Sequence, residues 1–186
     1  MLKRLQAGGL VLLIRHERTE VPSRSDDYTK SPTECRAQRN LSIAGVAGSQ
    51  ETGVNLRTLD IKIGRVLSSP MCRSAETARF MFGVDYETDP RLMHHDPGPQ
   101  SARTLDQAAL ELNDVLGELA PGLEGSNIAI ITHGGNIQRL TRLRLSEGEI
   151  GVFKLEDDGT ATAYGQLMGS DLGPYARRKL AEAMEE

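Results

Sequence analysis

Three short stretches of this sequence end an apolar run on reactive side chains. In "VLLIRHERTE" four apolar residues lead into Arg15, His16 and Glu17. In "RVLSSPMCRSAETA" a second run leads to Arg73, and "NIAIIT" runs directly into His133, Gly134 and Gly135. A guanidinium binds phosphoryl oxygens two at a time and keeps its charge at any working pH. An imidazole can attack phosphorus and carry the phosphoryl group covalently. A glycine behind a histidine lets the backbone come close, and its N–H can donate to an oxygen. Phosphoryl transfer spreads charge over the equatorial oxygens, so several fixed donors are what it requires. Singly, each signal has an ordinary reading: a solvated strand end, a surface arginine, a turn. Three of them at strand ends point to one anion site.

The elements between these stretches decide whether they can meet. Residues 11–14 are apolar without alternation, which suits a strand buried on both faces of a parallel sheet. Residues 15–40 are polar, contain Pro22 and Pro32, and read as a long loop. Loops of that length in a compact domain usually carry function. Ser42 can cap a helix running to about Leu59, with Ala44, Val46, Ala47 and Val54 available for burial. Gly45, Gly48 and Gly53 weaken it. "IGRVLSS" reads as a second strand, and Pro70 and Gly83 bracket a second helix. "VDYET" reads as a short strand and "DPRLMHHDPGPQ" as a loop. From Ser101 an amphipathic helix follows, with Leu105, Ala108, Ala109, Leu112, Leu116 and Leu119 in helical spacing. After "NIAIIT" comes a helix over 136–143. "EIGVFKLE" and "ATAYGQLM" flank "DDG" as a hairpin. A charged helix or tail begins at Pro174. This order predicts an α/β three-layer sandwich, a mostly parallel central sheet with helices on both faces. Ligands bind such sheets beyond the carboxyl ends of the strands, where all three reactive stretches fall.

The chain of 186 residues fits one domain, 1–186, with 174–186 as its terminal helix or tail. A net charge of -4 argues against a general nucleic-acid binder but allows an anionic small substrate in a locally positive site. Lys3 and Arg4 before an apolar run have the look of a secretory signal. Gln6, Gly8 and Gly9 interrupt that run, and no small-residue cleavage site follows. No apolar stretch is long enough to span a bilayer. The expectation is a soluble cytoplasmic protein with no membrane partner; no oligomeric state follows. Cys35 and Cys72 form no C-x-x-C pair and no zinc pattern. Two free thiols in a reducing compartment are the plain expectation. The alternative is a bridge, if Ser42 and Arg73 face the same phosphate and bring the sulfurs together.

"LIRHERT", "RNLSIAG", "SSPMCRSAETA" and "THGGNI" resemble the histidine phosphatase superfamily, with its phosphoglycerate-mutase-like fold. The match runs from about Gly9 to Arg142, and the insert ending "CRAQRNLS" is similar to that of small single-domain phosphatases in this superfamily. The resemblance implies that His16 becomes the phosphohistidine and that Arg15 and Arg73 hold the phosphoryl oxygens. His133 would be a second catalytic histidine donating to them, with Gly134 beside it. Ser42 matches a position that often lines the phosphate pocket, and Thr19, Arg39 and Asn40 are weaker candidates. The family works without metal or other cofactor and acts on small phosphorylated substrates.

One departure stands out: the residue after the nucleophile is usually Gly or Ala, and here it is Glu17. A carboxylate beside the phosphate would repel it, unless Glu17 turns away and pairs with a base such as Arg18 or Arg24. For the proton donor to the leaving group, the loop "RLMHHDPG" makes Asp96 the first candidate, His94 the second and Glu17 the third. A metal site at His94, His95 and Asp96 is the lesser reading of the same residues. Phosphatase is favoured over mutase because the chain has little spare length to enclose a substrate. A non-catalytic phosphoester binder on the same fold is the remaining alternative, kept open by Glu17.

Overall fold

In β1 (Val11–Arg15) the two faces of one strand feed two different cores. Leu12 and Ile14 pack with Leu5, Leu56, Leu59, Met81 and Ala176. Val11 and Leu13 pack with Leu92, Leu112, Val115, Leu116 and Ile137. A strand buried on both faces must lie in the middle of a sheet covered on both sides. A computed structural model describes residues 1–21, 25–94, 103–119, 125–156 and 160–185 and shows that arrangement.

The helices are α1 (Leu2–Ala7), α2 (Ile43–Thr58), α3 (Cys72–Phe82), α4 (Leu105–Leu119), α5 (Gly134–Thr141) and α6 (Gly173–Met184). The remaining strands are β2 (Ile63–Ser68), β3 (Glu87–Thr88), β4 (Asn127–Thr132), β5 (Glu149–Leu155) and β6 (Ala161–Met168). They form one sheet in the order β3-β2-β4-β1-β5-β6. The pairings β3–β2, β2–β4 and β4–β1 are parallel, and β1–β5 and β5–β6 are antiparallel. The sheet is therefore mixed, with a parallel half that carries the reactive strand ends. Residues of α1, α2, α3 and α6 share one core, and α4 and α5 supply the other, which makes the three layers.

Several local readings need correction. The opening residues form α1, whose Leu5 is buried and whose Gln6 donates through Nε2 to Leu59 O. Gly8 and Gly9 then turn the chain into β1 at φ 80° and 78°. In α2 the aliphatic side chains expected to be buried do not form the buried face: Ala44, Ala47 and Val54 are exposed, as is Ile43, and Val46 is half-buried. The buried face is Gly45, Gly48, Ser49, Thr52, Gly53, Asn55 and Leu56. A Cβ at Gly45 would stand 2.1 Å from Arg18 O, and one at Gly53 2.0 Å from Met81 O. The glycines cost helix propensity but let α2 lie directly against backbone, a trade that only packing reveals. The amphipathic helix α4 begins at Leu105, not at Ser101: Arg103 and Thr104 are described and not helical, and Thr104 Oγ1 caps the helix by accepting from Gln107 N at 3.2 Å. The DDG turn of the β5–β6 hairpin also lies outside them.

The free-thiol expectation is overturned. Cys35 and Cys72 form a disulfide with their Cα atoms 5.5 Å apart. It ties the polar insert, at a short 3-10 turn (Cys35–Ala37), to the start of α3. Stable cystines are typical of oxidising compartments, so the composition-based argument for a reducing one falls away. Among the described residues no helix is long and apolar enough to cross a membrane.

Candidate active site

The register of the parallel strands builds the site. Arg15 pairs with Thr132 across β1 and β4, and Ser68 pairs with Ile131 across β2 and β4. The next residue along each strand is therefore His16, His133 or Ser69, and the three stand together at one edge of the sheet. His16 N donates to Thr132 O at 3.0 Å and Ser69 N to Ile131 O at 2.9 Å, continuing the ladder one step past the strands. The imidazole centroids of His16 and His133 are 5.4 Å apart. Arg73 enters from the first turn of α3 and is 1% exposed, the largest fully buried side chain described.

A cavity of about 320 Å³ opens here, walled by Arg15, His16, Arg39, Arg73, His94 and His133. His94 is brought in by the segment after β3. Thr132 Oγ1 donates to Leu92 O at 2.8 Å, and Asn136 Nδ2 donates to Met93 O at 2.8 Å. His94 and His133 then lie with centroids 5.3 Å apart.

The hydrogen bonds fix which atoms face the cavity. His16 Nδ1 lies 2.9 Å from Glu17 O. A carbonyl can only accept, so Nδ1 carries the proton and Nε2 keeps its lone pair. Ser69 Oγ accepts from Met71 N and sits 2.9 Å from His133 Nε2. Its own hydrogen is thus available for Nε2, which favours a proton on His133 Nδ1. Arg15 is anchored through Nη1 to Leu145 O at 3.0 Å and through Nη2 to Glu147 Oε1 at 3.5 Å. Arg73 is anchored through Nη1 to Asp26 Oδ1 at 3.0 Å, with Nη2 against Met71 Sδ at 3.7 Å. Arg15 Nε, Arg39 Nε, Arg73 Nε and His133 Nδ1 are buried without a partner among the described residues. An unmade bond on a buried donor costs about 1–3 kcal/mol, more where the group is charged. Four of them around one cavity make a site shaped for an oxyanion that would accept from all of them.

The electrostatics agree. Burial first, and the Arg73 cation second, hold the pKa of His16 well below the ordinary histidine value. The same two causes, followed by the neighbouring His16 and His94, act on His133. Both rings are therefore neutral in the folded protein at neutral pH. In the unfolded chain they protonate near 6.5, so below that pH the unfolded state holds more protons. Stability should be complete above pH 6.5 and fall as pH drops toward the folded values, by up to about 1.4 kcal/mol per pH unit for each histidine. Denaturant melts at pH 7 and 5.5 measure this; His16→Asn with His133→Asn should flatten the dependence, and an unchanged slope would refute the assignment.

Not every sequence candidate reaches the cavity. Ser42 is the N-cap of α2: its Oγ accepts from Gly45 N and donates to Arg18 O. Thr19 binds Glu147 through its N–H and its hydroxyl. Asn40 Nδ2 donates to Cys35 O within the insert. None of these three lines the cavity. Glu17 turns away from it: its Oε2 accepts from Arg18 N at 3.0 Å and Arg18 Nε at 3.3 Å. Its carboxylate is packed between Gly48 and Gly148, where a Cβ at either would come within 2.5 Å of Oε1. Burial raises its pKa, and Arg18 opposes that. Gly134 does line the cavity, and a Cβ there would meet the Arg15 side chain at 3.0 Å. Asp96, with His95, lies outside the described residues. Sequence reasoning missed Asp26, Ser69 and Glu147, which hold Arg73, His133 and Arg15, and Gln138 and Arg144, which also line the cavity. Ser69 stood in a quoted motif, but nothing in the spacing marked the others.

No protein-family model matches this chain, and no curated protein matches it closely enough to count. Solved structures do. The protein histidine phosphatase SixA, complexed with tungstate, superposes with a TM-score of 0.61 at 19% identity, over 88% of this chain and 99% of that one. The chain has the histidine phosphatase fold. The alpha-ribazole phosphatase from Shigella flexneri gives a TM-score of 0.66 at 16% identity, over 84% and 95% of the two chains. The mycobacterial glucosyl-3-phosphoglycerate phosphatase, in complexes with VO3, gives 0.65 at 15% identity, over 83% and 97%. In this chain the carboxyl ends of β1, β2 and β4 lie at one edge, and the cavity opens there.

Proposed function

We propose that this protein is a phosphatase that hydrolyses a phosphomonoester through a phosphohistidine on His16. The observation that carries the reading is the ring of buried, unpartnered nitrogens on Arg15, Arg39, Arg73 and His133 around one cavity that also holds a neutral imidazole. The tungstate and VO3 found with two structural neighbours are tetrahedral or phosphate-like oxyanions of the kind such a ring would bind.

The substrate phosphoryl oxygens accept from Arg15, Arg73 and Arg39 and from His133 Nδ1. The N–H groups at the start of α5 add to this field. His16 Nε2 attacks phosphorus in line with the leaving oxygen, and the Nδ1–H bond to Glu17 O holds the ring in that tautomer. As the P–O bond breaks, the leaving oxygen takes a proton. Water then attacks the phosphohistidine, giving its proton to the group that protonated the leaving oxygen, and His16 leaves as the neutral ring. Glu17 was the argument for a non-catalytic binder. Its pairing with Arg18, away from the cavity, removes that objection.

A protonating group must lie across phosphorus from His16. Asp96 remains the proposed donor, with His94, which already walls the cavity, as the alternative. Asp96→Asn should slow hydrolysis of alkyl phosphates by ~10²-fold or more while sparing p-nitrophenyl phosphate, whose leaving group needs little protonation. Equal losses on both substrates would mean a binding role. No loss on either would transfer the assignment to His94. The function itself is tested by phosphate release across a panel of phosphomonoesters, with trapping of labelled enzyme in an alkaline detergent quench, where a phosphohistidine survives. Absence of both turnover and oxyanion binding would refute it.

A further inference from the structure

The polar insert between β1 and α2 does more than connect them. Asp26 Oδ1 accepts from Arg73 Nη1 at 3.0 Å and from Arg39 N at 2.8 Å. One carboxylate thus joins two of the cavity's arginines, one through its side chain and one through its backbone. The guanidinium of Arg73, which lines the cavity, is tied at Nη1 by Asp26 and has one Nη2 hydrogen on Met71 Sδ, while its Nε has no partner among the described residues, so the Nε–H and the second Nη2 hydrogen remain to donate along one edge. That edge is the one a phosphoryl group can take bidentately. Among the described residues Asp26 is the carboxylate that pairs with Arg73, at 3.0 Å, and so fixes the rotation of that long side chain. Tyr28 Oη donates to Asp26 Oδ2 at 3.3 Å. The insert as a whole is held against α3 by Cys72 N donating to Gln38 Oε1 at 3.0 Å and by the Cys35–Cys72 disulfide. The bridge sits one residue before Arg73, so it fixes the insert at the point where Asp26 must reach the arginine.

We infer that Asp26 is a positioning residue that aims Arg73 and Arg39 at the phosphoryl group, and that the Cys35–Cys72 bridge holds it in place. Asp26 itself touches no reacting atom. The inference rests on the phosphatase reading and adds to it a dependence of oxyanion affinity on an intact cystine. A dithiol reductant opens the bridge: it gives up two electrons and two protons, the S–S bond becomes two thiols, and the reductant leaves as a cyclic disulfide.

The test measures orthovanadate affinity and p-nitrophenyl phosphate kinetics on the oxidised full chain, its dithiol-reduced form, and the variants Asp26→Asn and Asp26→Glu. If the oxidised wild type neither binds vanadate nor turns over, the phosphatase reading has failed and this one falls with it. If it does both, Asp26→Asn should weaken vanadate roughly 10- to 100-fold, the worth of a charged hydrogen bond. The loss should be larger in KM than in kcat, at an unchanged melting temperature, and Asp26→Glu should recover part of it. The reduced chain, with two titratable thiols and unchanged circular dichroism, should show the same loss. Vanadate affinity within twofold of wild type in Asp26→Asn would overturn the positioning role, as would unfolding of both Asp26 variants. A reduced chain that binds vanadate as before, or one that unfolds outright, would overturn the role given to the bridge.

Discussion

Replacing His16 with alanine should lower turnover by ~10³-fold or more, because it removes the nitrogen that forms the covalent intermediate. Three observations converge on this ring. It stands one residue beyond the Arg15–Thr132 pair, where parallel strands present their ends. Its Nδ1–H is committed to Glu17 O, so the nucleophilic nitrogen is Nε2 alone. Burial and Arg73 keep it neutral, so its lone pair is available well below pH 6.5. His16→Asn is the sharper variant, since its amide can still donate to Glu17 O while offering no nucleophile. Both should leave the protein folded and able to bind vanadate. Reactions with labelled substrate, quenched in alkaline detergent because a phosphohistidine is lost in acid, should show bound phosphate in the wild type and none in either variant. Near-wild-type turnover in His16→Ala would end the assignment.

Arg73 should be the second most sensitive position. Its side chain is 1% exposed, and burial lowers its pKa, an effect that Asp26 opposes and that Arg39 adds to. A cation held dry beside two other cations is costly, and an incoming phosphoryl group removes that cost. Arg73→Ala should therefore reduce kcat by ~10²- to 10³-fold, the range for removing one preorganised donor of charge. It also leaves the Asp26 carboxylate next to the anion site without its partner. Arg73→Lys tests the fork separately from the charge. An ammonium cannot span Asp26 and two phosphoryl oxygens in one plane, so the lysine variant should still lose about tenfold or more in kcat/KM. Isothermal titration with vanadate, beside steady-state kinetics, separates binding from turnover. A lysine variant equal to wild type in both would show that Arg73 acts only as a point charge.

What the sequence carried was the local part. Apolar runs ending on Arg15, His16 and His133 were visible because a strand buried on both faces has to read as a continuous apolar stretch. Ser42 as a helix cap, Gly83 as a stop and the hairpin of β5 and β6 follow from short-range backbone chemistry, and each is present. The layer order followed from alternating strands and helices. Tertiary structure decided everything that depends on residues far apart in the chain. Strand register brought Ser69 under His133, and no local pattern encodes register between β2 and β4. Packing against Arg18 and Met81 made the glycines of α2 its buried face, although propensity counted them as flaws. Gly48 and Gly148, one hundred residues apart, make the pocket that turns Glu17 aside, so a carboxylate that read as an obstacle is harmless. Cys35 met Cys72 because the insert folds back on α3. Asp26 and Glu147 each hold a guanidinium that recognisable motifs supplied. The motifs named the reactive groups; the groups that aim them come from loops whose only constraint is where the fold carries them.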